Sequence, residues 1–197
     1  MIEPCWYKLK IDCSNALRSD WKFPDITGKE FGVWNDTAKN MFDPEWLQKM
    51  HDSGIYVADA LIFYRSPGHN TNNAHIDIHK EHPKKISTFG LNMVFDGNDS
   101  TMTWYKMPEI KGPPSRGAAG TVYYNWPISQ LEEIDRHTLG PELTLVRVGV
   151  PHTVIMGDKP RWCISARAAL IEQMYWKDVV KYMYNKDLLV ERNVQKN

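Results

Sequence analysis

His75 and Asp77 stand two residues apart in the segment His75-Ile76-Asp77-Ile78-His79. Imidazole and carboxylate are both ligands for a divalent transition metal. Side chains alternate across a β-strand, so residues two apart share a face. The spacing predicts two metal ligands on one side of a strand. His152 comes 75 residues after Asp77, directly behind Pro151 and at the start of a β-rich stretch. Two imidazoles and one carboxylate can take one face of an octahedral ion and leave three positions open for other ligands, dioxygen included. An isolated His-x-Asp also reads as two polar residues on a solvated strand. His79 continues the same face and competes as a ligand.

Arg161 follows His152 by nine residues, across a turn that contains Gly157 and Pro160. On strand spacing Arg161, Cys163, Ser165 and Arg167 share one face. A guanidinium inside a rolled sheet calls for an anion, because an unpaired buried charge is costly. Its fork fits a carboxylate. The plainer reading of Arg161 is a surface residue beside a turn. For Arg167 an internal acidic partner would serve as well as a ligand.

Taken in order, Tyr64-Arg65-Ser66-Pro67-Gly68, His75-Ile76-Asp77, Pro151-His152, Lys159-Pro160-Arg161-Trp162 and Ser165-Ala166-Arg167 form a pattern. It resembles the 2-oxoglutarate/iron(II)-dependent oxygenase superfamily, nearest to its prolyl-4-hydroxylase-like branch. The resemblance spans about residues 55–170, within a single domain. It implies a mainly β fold, a double-stranded β-helix (jelly-roll, cupin-like) with flanking α-helices. It implies His75, Asp77 and His152 as Fe(II) ligands and catalytic centre. It places Arg161 on the far carboxylate of 2-oxoglutarate, with Tyr64 assisting and Arg167 as a further candidate. Tyr64 lies eleven residues before His75, across a long polar loop, which departs from a minimal arrangement. The implied reaction hydroxylates an unactivated C–H bond with dioxygen and releases succinate and CO2; desaturation or ring formation are variants. The substrate, a small molecule or a protein side chain, is not readable. Two other readings stay open: a metal-dependent cupin enzyme that does not use 2-oxoglutarate, and a non-catalytic jelly-roll binding module. A requirement for Arg161 separates the oxygenase from the first of these, and loss of iron in His75→Ala separates it from the second.

The elements that must position these residues are short. The chain has 197 residues, 42% of them hydrophobic and 12% aromatic, which suits one domain rich in strands. Asp43-Pro44-Glu45 starts a helix over 44–53, closed by Gly54. Strands are expected at 55–64, 75–79 and 87–95. A turn at 96–99 and a return over 101–106 read as a hairpin. Residues 108–120 read as loop, a candidate lid. A strand at 121–126 and a helical turn within 128–137 follow. Three strands come next, at 142–149, 152–156 and 161–170, and a last helix covers about 171–187. Asn92 and Trp104 sit on strands that could line the cavity. Trp104, Trp126 and Trp162 are expected in the core, and His51, His69, His82 and His137 on the surface. Lys80, Lys84 and Lys85 read as a solvated face.

Lys plus Arg equals Asp plus Glu, 24 each, so net charge gives no pull towards nucleic acid or an anionic membrane. Three cysteines at irregular spacing suggest reduced thiols. No apolar run has the length of a membrane span or signal peptide. A cytoplasmic location is expected.

Overall fold

The computed structural model describes residues 3–78, 89–116, 122–170 and 175–190. Among these residues twelve strands are arranged in two six-stranded antiparallel sheets, and the fold is mainly β. The first sheet runs β1 (Trp6–Lys8), β10 (Thr144–Arg147), β5 (Phe89–Asp96), β12 (Arg161–Leu170), β3 (Ile55–Arg65), β2 (Phe31–Thr37). The second runs β7 (Ser115–Arg116), β8 (Val122–Pro127), β4 (Asn73–Ile78), β11 (His152–Ile155), β6 (Thr101–Tyr105), β9 (Glu133–His137).

Strand alternation divides the core in two. Ile62, Ile164, Leu91, Met93 and Trp162 leave one face of the first sheet and pack with residues of α1 (Ala38–Met41), α2 (Pro44–Asp52) and α3 (Trp176–Asn185). Val94, Val146 and Cys163 leave the opposite face and meet Met102 and Trp104 of the second sheet. The sheets therefore face one another, and the helices back the first. The cap of α2 forms as its sequence dictates. The Asp43 carboxylate accepts the backbone N–H groups of Glu45 and Trp46, at 2.9 and 3.2 Å. Gly54, at φ +78°, ends the helix and releases the chain into β3.

Three sequence expectations need correction. Strands β5 and β6 are not a hairpin: β5 pairs with β10 and β12, and β6 with β11 and β9. The turn between them carries the chain from one sheet to the other, and both kinds of turn use the same Asp-Gly chemistry. Residues 128–137 hold only one 3-10 turn (Ile128–Gln130) before β9. Within 108–120, Ser115–Arg116 pair with β8 as a short strand. Of the last predicted helix, α3 is the described part. His79, His82 and the lysines at 80, 84 and 85 lie outside the described residues. None of the three cysteines is in a disulfide: Cys5 and Cys163 are buried and Cys13 is half-buried.

Candidate metal centre

The strand β4 splits cleanly by parity. Ala74 and Ile76 are fully buried on one side, while His75 and Asp77 occupy the other. The partner strand β11 sets His152 directly opposite His75, and Trp104 opposite His152 on its far side. Trp104 belongs to the core between the sheets, so this face looks inward. One ligand atom each from His75, Asp77 and His152 lies within 4.8 Å of the others. The three residues singled out from spacing are thus brought together from two strands.

His152 is 5% exposed, and its Nδ1 lies 3.0 Å from the carbonyl oxygen of Val150. A carbonyl only accepts, so Nδ1 donates there and Nε2 is the ring nitrogen left for a metal. His75 Nε2 is 3.7 Å from an Asp77 carboxylate oxygen. Their side chains are 36% and 33% exposed, so the cluster opens on one side to solvent. The backbone N–H of Asp77 donates to Val148, tying β4 to the segment ahead of His152. Burial, then the neighbouring His152, push the His75 imidazole down to about 4; Asp77 opposes the shift and Arg65 adds to it. His75 is therefore neutral at pH 7, the form a metal needs.

That shift has a consequence for stability. The unfolded chain takes up this proton near the ordinary histidine value of about 6.5. The folded chain holds it off until about 4. Between these values the unfolded state binds more protons, so the metal-free protein loses stability as pH falls from about 6.5 towards 4. Urea midpoints at several pH values in this window test it. The fall should be shallower in His75→Gln, whose side chain does not titrate.

Ligands around one divalent ion at about 2.1 Å sit roughly 3 Å apart in adjacent positions. The ligand atoms, all within 4.8 Å of one another, stand an ångström or two wider than that spacing at most. The donor set of two nitrogens and one carboxylate suits iron(II) and leaves one side open.

Arg161 is 4% exposed, and its Nε is buried with no hydrogen-bond partner. It shares the inward face with Cys163. The turn after β5 closes over it. A Cβ on Gly97 would meet Arg161 Cβ at 2.7 Å and Pro160 O at 3.0 Å, and Gly97 has φ +57°. Gly97→Ala should cost about 1–3 kcal/mol from left-handed backbone and overlap together, read as a lower urea midpoint.

Tyr64, which the resemblance put in the site, and Arg167, which strand spacing put on the face of Arg161, are placed otherwise. Tyr64 is buried on the helix-covered face, its ring 4.9 Å from that of Trp162. It does not line the space between the sheets. Arg167 has the parity of Arg161 but is exposed, beside a bulge in β12 and across from Asp59. Asn92 is 7% exposed on the inward face, with Oδ1 unpartnered. His137, expected on the surface, stacks on Trp6. Trp104 and Trp162 are core residues as expected.

Arg65 was not singled out from the sequence. It is the inward-facing residue next to Tyr64, and it lies directly opposite Arg161 in the β3–β12 register. Burial, then the Arg161 charge, lower its guanidinium to about 10, which leaves it charged at neutral pH. No protein-family model matches the chain, and no curated protein matches it. The residues themselves carry the functional reading.

Proposed function

We propose that this protein is a 2-oxoglutarate- and iron(II)-dependent dioxygenase that hydroxylates an unactivated C–H bond of its substrate. The observation that carries the reading is the convergence of His75, Asp77 and His152 on the inward face, with a buried Arg161 on the facing sheet whose Nε has no hydrogen-bond partner. The strand order supports a double-stranded β-helix: β10-β5-β12-β3 faces β4-β11-β6-β9, and successive strands cross repeatedly between the sheets.

His75, Asp77 and His152 would hold the metal. Bound iron(II) supplies the activation of dioxygen, by which 2-oxoglutarate, O2 and R–H become succinate, CO2 and R–OH. The protein's own share is placement. The Val150 carbonyl fixes the tautomer and ring orientation of His152. Arg161 receives the far carboxylate and fixes how the co-substrate lies. Trp104, Val94 and Cys163 pack the space between the sheets and exclude water from the inner end. The half-exposed side of His75 and Asp77 is where substrate and dioxygen enter.

The test is anaerobic reconstitution with iron(II) and 2-oxoglutarate, then admission of air and a succinate assay across candidate substrates. Succinate formation that needs both iron(II) and 2-oxoglutarate is the expected result. Iron binding with no consumption of 2-oxoglutarate under any substrate would favour a metal-dependent cupin of another kind.

A further inference from the structure

We infer that Arg65 is a second cation of the co-substrate site and that, with Arg161, it restricts the site to 2-oxo acids carrying a far carboxylate. The inference rests on the reading of the site as a 2-oxoglutarate centre.

Arg65 and Arg161 stand opposite one another on neighbouring strands, on the inward face. Like charges so placed repel, and the arrangement persists only if something offsets it. Among the described residues no acid does. The arginine ion pairs there belong to Arg18, Arg136 and Arg147. Asp96, the other cross-strand neighbour of Arg161, is exposed and forms no ion pair with it. Arg161 Nε has no hydrogen-bond partner. Among the described residues Arg65 makes one long hydrogen bond, Nη1 to the His69 carbonyl at 3.5 Å, and its guanidinium carbon lies 5.1 Å from the Phe31 ring centroid.

Position selects the ligand. Arg65 and Arg161 project from adjacent strands into the space that the metal-ligand strands face. A terminal carboxylate that reaches Arg161 there comes within range of a second fork. A 2-oxo acid without that carboxylate leaves both charges without an anion. Tyr64, the neutral alternative for this role, is turned to the opposite face of the sheet.

The test is calorimetric titration of 2-oxoglutarate and of 2-oxobutyrate into protein loaded with manganese(II) under nitrogen, where nothing turns over. Arg65→Gln should weaken 2-oxoglutarate by roughly 10-fold or more while 2-oxobutyrate stays within about twofold, since only the former offers a charge-assisted bond to lose. Arg65→Lys, which keeps the charge without the fork, should fall between and covers a glutamine variant that does not fold. Manganese affinity and circular dichroism should not change. Wild-type protein that binds no 2-oxoglutarate overturns the functional reading and this inference with it. Wild-type protein that prefers 2-oxoglutarate, with both Arg65 variants retaining that preference, overturns the role of Arg65 alone.

Discussion

Asp77→Ala protein should fold normally and lose iron(II) affinity by more than about 100-fold, beyond the cost of losing a mere outer-shell partner. Asp77 is the one anionic ligand in the cluster, and it is a third exposed. Its side chain fills no core space, and its carboxylate lies 3.7 Å from Nε2 of His75, which is neutral at pH 7 and so makes no ion pair with it. Truncating a residue of this kind changes folding stability by only about 0.5 kcal/mol. The effect on metal and the effect on folding are therefore separable at this position. They are not separable at His152, which is 5% exposed and hydrogen-bonded to Val150. His152→Ala would leave a cavity and an unpaired carbonyl, and its loss of metal would be mixed with lost stability. Anaerobic equilibrium dialysis against iron(II), beside circular dichroism, reads both quantities. An Asp77→Ala protein that binds iron as tightly as wild type would remove the centre from consideration.

The ligand pair was legible because β4 is buried on one side only. Ala74 and Ile76 alternate with His75 and Asp77, so residue type alone reveals the face. The cap and the stop of α2 were legible for a related reason, since Asp43, Pro44 and Gly54 act within one or two turns of chain. β3 gave no such signal. Ile62, Phe63 and Tyr64 are all apolar, because the helices cover one face of this strand and the second sheet covers the other. With both faces apolar the alternation vanishes, and parity cannot be read. The resemblance put Tyr64 in the site, and the strand's own pattern held nothing to favour its neighbour Arg65 instead. Arg167 failed for another reason. Its parity was right, but β12 outruns the covered part of the sheet and bulges there. Burial along a strand depends on what lies across from it, which is a long-range property. The β5–β6 connection shows the same limit: its turn chemistry is local, but the sheet that receives β6 is decided by pairing with β9 and β11.

Replacing Arg161 with methionine should move function and stability in opposite directions. Methionine keeps much of the volume and removes the charge, so little cavity forms. In the metal-free protein Arg161 has no anionic partner among the described residues, an unbonded Nε, and Arg65 directly across the strand pair. Removing a buried charge in that setting relieves repulsion and desolvation together. The melting temperature of metal-free Arg161→Met should equal or exceed that of wild type. Its KM for 2-oxoglutarate should rise by about 10- to 150-fold, the equivalent of about 1.5–3 kcal/mol for a hydrogen bond to a charged group. Succinate formation against 2-oxoglutarate concentration, with a thermal melt of the same preparation, decides the matter. A stable structural arginine would give the reverse pair of results: a lower melting temperature with the KM unmoved. A group that is costly to keep in the empty protein and needed once the ligand arrives is what an anion-binding residue should be, because the free energy that the ligand recovers is the repulsion and desolvation already present without it.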